Sequence, residues 1–385
     1  MAQHLREGAW HISRGVQDRT ARRIPCADGR TTSRGPPDSV PPMRTTLAGA
    51  PSAFEGGLLP LGSGTWAWIQ PDGGWGEANA GLVVGDGASA VVDTLWDGRR
   101  CREMLAAMAA PTAGAPVRLA VNTHADGDHW WGNAELPADA RIVTSAEART
   151  AMDEEESPRG MARLRRLTGL SGRLPGRAGE MGRYVRGMLE PFDFRHVELR
   201  LPDDVFHGTA TEEVGGRELL LRTLGPAHTV GDLVVHVPDA GVLFAADLLF
   251  VGVTPVMWAG PVESWIAALD AILATDADTI VPGHGPVGGP EEVRAMRDYW
   301  AWLAGAVAAQ HRMGHRALEA TIAILRDPDA AAYRRWLVPE RTLISVTVMQ
   351  RGLAGEGPLP RTTAVRAALF DQVASVRRAL RDDAG

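Results

Sequence analysis

The chain has 385 residues, 45% of them hydrophobic and 23% charged, and reads as one large globular domain with additions. A net charge of −7 disfavours the concentrated basic face that nucleic acid requires, and no apolar run approaches the roughly 20 residues that span a bilayer. All forty residues of the Lys+Arg count are Arg, which excludes lysine Schiff bases, pyridoxal phosphate attachment and Gly-Lys-Ser/Thr phosphate loops.

Residues 1–52 carry eight Arg among scattered Gly, Pro, Ser and Thr without apolar periodicity, which predicts a disordered tail. Arg22-Arg23 is followed by no apolar stretch, so it does not read as an export signal, and Met43 is a candidate translation start. Two cysteines, Cys26 and Cys101, lack metal-ligand spacing; a reducing cytoplasm is the expected location.

Order is expected from near Leu58, with the main domain over 53–290. Thr65–Ile69, Ala80–Val84, Ala88–Asp93 and Val117–Val121 read as strands between Gly- and Asp-rich turns, with a helix over 97–110 that Pro111 ends. Residues 145–193 read as a helical, Arg- and Met-rich insert. Glu218–Arg222, Asp232–His236, Gly241–Ala245 and Thr279–Val281 read as a second set of strands, with a helix near 262–274. A helical extension fills 291–385. Two β-rich halves with helices beside them predict two sheets packed face to face, helices outside.

The most polar segment is Thr123-His-Ala-Asp-Gly-Asp-His-Trp-Trp-Gly-Asn133, directly after a predicted strand. A strand end followed by a Gly-containing loop can aim His124, Asp126, Asp128 and His129 at one point. Imidazole with carboxylate and no thiolate suits Zn²⁺, Fe or Mn²⁺ in a reactive site rather than a zinc finger. Three later segments share this character, each after an apolar run: Gly225-Pro-Ala-His228-Thr-Val-Gly-Asp232, Ala245-Ala-Asp247 and Val281-Pro-Gly-His284-Gly-Pro286. A lone His is usually structural; four such segments in this order point to a metal centre.

These segments resemble the metallo-β-lactamase superfamily, whose signature is His-x-His-x-Asp-His, then a His, a bridging Asp and a late His. The resemblance covers about residues 58–290 and implies an αββα sandwich. It implies one metal on His124, Asp126 and His228, a second on Asp128, His129 and His284, and Asp247 between them. Zinc is the first choice for both ions, with iron or manganese as alternatives. One position departs: the signature's second His is Asp126 here, a harder ligand that favours iron or manganese or weakens that site.

The implied reaction is metal-dependent hydrolysis of an ester, thioester, lactone or amide, with Asp128 orienting the nucleophilic water and passing a proton to the leaving group. No Gly-x-Ser-x-Gly elbow supports a serine mechanism. Asp93, Thr229 and Asp232 are candidates for orienting ligand imidazoles, with turn or strand-end capping as the competing role. Trp75, in a hairpin loop, and Trp130 are candidate pocket residues for a flat or apolar small-molecule substrate, while Trp131 reads as core. The insert, with Met161, Met181, Tyr184 and Met188, is a candidate lid.

Gly-Gly-Trp-x-x-x-Asn-Ala-Gly at 73–81 is similar to actinobacterial members that act on aromatic polyketides as cyclase-thioesterases, a second reading. An iron-dependent thiol or persulfide dioxygenase is a third, and a non-enzymatic binding protein a fourth. The late helices with Trp300, Trp302 and Trp336 either form a homodimer surface or cover the sandwich.

Overall fold

The computed structural model describes residues 43–382 except 48 and 361. Most of the expected tail, 1–42, lies outside the described residues. Within the remainder, strand structure is already present. β1 (Met43–Thr45) pairs antiparallel with β2 (Pro51–Gly62), so regular structure begins ahead of Leu58. Gly56, Gly57 and Pro60 hide β2 from a propensity reading, and most of its residues are at least partly exposed.

The first sheet continues through β3 (Thr65–Ile69), β4 (Ala80–Val84), β5 (Ser89–Val92), β6 (Val117–Val121), β7 (Arg141–Ser145) and β8 (Asp204–Phe206), in chain order. It is antiparallel up to β5 and parallel from there. The change of sense demands a crossover, and α1 (Gly98–Ala107) supplies the first one. Asp97 starts that helix by accepting the Arg100 amide.

The second sheet holds β9 (Thr209–Val214), β10 (Arg217–Thr223), β11 (Leu233–Val237), β12 (Val242–Phe250) and β13 (Thr279–His284) in the order β13-β12-β11-β10-β9. β12 and β13 run parallel, and α6 (Val262–Leu273) makes the connection.

Side chains alternate faces along a strand, and the core divides accordingly. Val83, Val92, Val121 and Val143 turn inward to meet Leu219, Leu233, Val235 and Phe244 of the second sheet. Their neighbours Leu82, Val91, Ala120 and Ile142 face outward onto Cys101 and Met104 of α1. The second sheet's outer face carries α6 and α7 (Pro290–Arg312), where Trp265 and Trp300 stack at 4.3 Å. Trp300 is fully buried and covers the sandwich; Trp302 and Trp336 pack with Tyr299 and Tyr333 beside it.

The insert contributes α3 (Ala146–Met152), α4 (Pro158–Ser171) and α5 (Gly176–Leu189). The extension adds α8 (Ala317–Arg326), α9 (Thr342–Leu353) and α10 (Thr363–Asp382). α10 lies against α5, so insert and extension meet over one end of the sandwich, where Arg378 reaches Glu180 at 2.6 Å. No helix among the described residues is long and apolar enough to cross a membrane.

A stitch joins the two sheets at that end. Asn79 Nδ2 donates to the carbonyls of Pro282 and Gly285 at 2.9 and 2.8 Å, and its amide donates to Gly283 O at 2.7 Å. Gly73 sits above the same turn at φ +65°, where a Cβ would come within 2.7 Å of the Gly285 amide nitrogen.

Candidate metal centre

β6 ends at Val121, and the chain turns through Thr123 into the single helical turn Gly127–Trp130, here α2. That turn delivers His124, Asp126, Asp128 and His129 from the first sheet. The second sheet supplies His228 from the loop before β11, Asp247 from within β12, and His284 from the end of β13. Side-chain donor atoms of His124, His228 and Asp247 lie within 4.8 Å of one another, as do those of Asp128, His129 and His284. Asp126 stands beside the first group, its Oδ2 3.0 Å from His228 Nε2. Asp247 faces both groups, with Oδ1 3.0 Å from His129 Nε2 and Oδ2 3.3 and 3.5 Å from the Nε2 atoms of His228 and His284.

The tautomers follow from the outer partners. His228 Nδ1 faces the Val256 carbonyl at 2.6 Å, so Nδ1 carries the proton and Nε2 presents a lone pair inward. His129 Nδ1 meets Asp93 Oδ2 at 2.7 Å. The Thr123 hydroxyl donates to the same oxygen at 2.7 Å, so it accepts from His124 Nδ1 at 3.0 Å. His284 lies flat on Phe250, centroids 5.2 Å apart and planes 2° apart.

These donors fit divalent metal ions. His124 Nε2 is completely buried without a hydrogen-bond partner, and His129 Nε2, 3.0 Å from Asp247 Oδ1, lacks hydrogen-bond geometry. Such orphans are costly unless a cation takes the lone pair. Electrostatics inside the protein are strong. Burial and the neighbouring His129 push His124 well below the ordinary imidazole range. Burial also works against charge on His129, but Asp247 and Asp93 outweigh it and raise that imidazole well above the range.

The other sequence candidates divide. Asp93 faces the His129 imidazole, at a strained φ of 63°. Asp232 and Thr229 do not: Asp232 accepts the Thr229 amide at 3.0 Å and its hydroxyl at 2.5 Å, which pins the turn carrying His228. The partner of His228 is the Val256 carbonyl, for which the sequence has no signal. Trp75 lines a cavity that opens on the cluster. Trp130 is turned away from it, 1% exposed, with its indole N–H on the Ala125 carbonyl at 2.9 Å. Trp131, expected in the core, is buried with Trp96 and Phe194 and yet forms part of the cavity wall.

That cavity is walled by Met161, Met181 and Met188 of the insert and by Arg366 and Phe370 of α10. Phe370 meets Trp75 edge-on at 5.5 Å, and Tyr184 accepts the Trp75 indole N–H at 2.9 Å. Arg366 is closed by Glu155 through two bonds of 2.9 and 3.2 Å. Arg341, just before α9, also reaches the cavity. In a chain with forty Arg, neither arginine stands out by sequence.

A profile of the metallo-beta-lactamase superfamily matches residues 73–284, a span that contains all seven converging side chains, and the chain belongs to this superfamily. It is 24% identical over 207 residues to the 2,4-dinitroanisole O-demethylase subunit alpha of Nocardioides sp. (strain JS1661), covering 52% of this chain and 51% of that one. The stereoselective inverting sec-alkylsulfatase from Pseudomonas sp. is similar in structure, with a TM-score of 0.59 at 19% identity over 80% of this chain and 52% of the sulfatase. A double mutant of a sec-alkyl sulfatase gives a TM-score of 0.58 at 18% identity, over 78% and 50%. The chain thus spans about half the length of each of these relatives.

Proposed function

We propose that the chain is a dinuclear, zinc-dependent hydrolase cleaving an ester-type bond in a substrate with a large apolar or aromatic group. One observation carries this reading. The cavity walled by Trp75, Trp131, the insert methionines and Phe370 opens directly onto Asp126, Asp128, His228, Asp247 and His284.

His124, Asp126 and His228 would hold one ion, Asp128, His129 and His284 the other, with Asp247 shared. Bound ions supply Lewis acidity and make water nucleophilic near neutral pH. The protein's own groups do the rest. Asp93, Thr123 and the Val256 carbonyl keep three imidazoles in the tautomer that points Nε2 inward. Asp128, its Oδ2 3.6 Å from His284 Nε2, is placed to accept the proton of the attacking water and return it to the leaving group. The aromatic walls exclude bulk water and orient the apolar body.

The test joins metal quantification to a substrate panel. Purified protein is expected to hold two equivalents of zinc and to hydrolyse at least one of an aryl ester, an acyl thioester, a lactone and a secondary alkyl sulfate. The last is included because of the sulfatase likeness. Chelation should abolish turnover and zinc should restore it. Turnover that survives complete metal removal would overturn the proposal, as would a zinc-loaded protein inert across the panel. A poly-β-ketone thioester in the same panel separates the cyclase-thioesterase reading, and iron as the sole resident metal would favour the dioxygenase.

A further inference from the structure

Arg341 is 2% exposed, yet no carboxylate among the described residues lies within ion-pairing distance of it. Its sequence neighbour Glu340 faces Arg377 instead, at 3.8 Å. The guanidinium is held in place by its Nε, which donates to the Thr254 carbonyl, and by two aromatic faces. Its Cζ lies 5.1 Å from the Trp75 ring centroid and 5.3 Å from that of Phe250. Nη2 is buried and has no hydrogen-bond partner. The other arginine of the cavity is different, because Glu155 already occupies the fork of Arg366.

Burying a cation without a direct ion pair is unfavourable; Asp247, Glu340 and Asp128 act on it only from beyond ion-pairing distance, and contact with ring faces offsets only part of that cost. A planar fork held at Nε with Nη2 left unpaired matches an oxyanion. Its position is equally specific. The guanidinium and His284 both contact the Phe250 ring, which puts the arginine beside the proposed metal ligands.

We propose that Arg341 is the anion anchor of this pocket, so that the substrate is amphiphilic: an apolar body between Trp75 and Phe370, and an oxyanion such as a carboxylate or sulfonate paired with the guanidinium. The anchor rests on the hydrolase reading only for the statement that the bound molecule is a substrate. Arginine rather than lysine serves here because the fork binds two oxygens while its plane stays stacked on aromatic rings.

The test is a binding measurement, free of turnover. Octanesulfonate, a poor metal ligand, is titrated into the zinc-loaded protein beside the neutral octyl methyl sulfone, with tryptophan fluorescence and calorimetry as readouts. Wild type is expected to bind the sulfonate about tenfold tighter than the sulfone, the worth of one charge-assisted pair. Arg341→Gln should erase that preference and leave sulfone binding within about twofold. Arg341→Lys should retain part of it. Equal affinity of wild type for both probes would overturn the proposal, and so would an Arg341→Gln protein that weakens both probes alike. Should Arg341→Gln fail to fold, the wild-type pair alone decides. A protein that shows the preference but hydrolyses nothing would refute the hydrolase reading and leave the anchor standing.

Discussion

Asp93 Oδ2 lies 2.7 Å from His129 Nδ1 and receives the hydroxyl of Thr123, which in turn holds His124. A single carboxylate therefore sets the orientation of two imidazoles in different ligand groups. Removing such a partner typically costs 10–100-fold in metal affinity. Asp93→Ala is expected to lower zinc affinity by about that factor, read by competition with a chromophoric chelator, while Asp93→Asn, which keeps an acceptor oxygen, should lose less. Wild-type affinity in Asp93→Ala would contradict the arrangement.

Gly283 backs Asp247, the carboxylate proposed to serve both metal groups. A Cβ there would stand 1.8 Å from Asp247 Oδ1 and 2.7 Å from the carbonyl carbon of Ala246, so Asp247 would have to move. Gly283→Ala is expected to reduce bound metal well below wild type, with far-UV circular dichroism close to native. Full metal occupancy in this variant would show that Asp247 is not shared.

Phe370 tests the cavity wall. It meets Trp75 edge-on and lines the cavity, where an aromatic contact with a substrate ring is worth about 0.5–1.5 kcal/mol, or up to roughly tenfold in affinity. Phe370→Ala should raise KM for an aryl-acyl substrate by several-fold and leave KM for the acetyl analogue unchanged. An equal effect on both would place the substrate elsewhere.

Glu77 gives a pH signature independent of the metals. Burial, reinforced by Asp72, raises its carboxyl to about 8 against the attraction of Arg100. A carboxyl raised on folding keeps its proton in the native state, so its stability contribution is complete below the unfolded value of 4.5 and is lost as pH rises through about 8. Wild type should therefore lose thermal stability between pH 5 and pH 9 (roughly the span of the shift), and Glu77→Gln should flatten that loss, melting a few degrees higher than wild type at the alkaline end. Parallel melting curves for the two proteins would rule this out.

The His/Asp cluster was legible because its side chains, Asp247 within β12 apart, lie in short polar stretches at or after the ends of apolar strands, and strand ends converge at one edge of packed sheets. Strands β3 to β6 and β10 to β13 were legible as apolar runs between turns. β9 was not, since Thr209–Val214 exposes Thr209, Thr211 and Glu213 on an edge strand and buries only Val214 fully. Asp232 shows the limit of spacing arguments. A carboxylate four residues past a ligand His fits either role, and only coordinates reveal that it binds Thr229. Trp130 shows another, because adjacent residues in a helical turn point some 100° apart, and sequence does not say which faces the cavity. Arg341 was invisible since its significance lies in what does not surround it.

The Asn79 stitch changes how the Gly-Gly-Trp-x-x-x-Asn-Ala-Gly stretch is to be weighed. Its asparagine spends its side-chain donor on the turn that carries His284, and Gly73 makes room for that turn. A search for this nonapeptide across genomes would gather proteins by how their two halves are fastened together. Of its residues only Trp75 and Gly76 line the cavity, so the rest of the stretch says little about which molecules they transform.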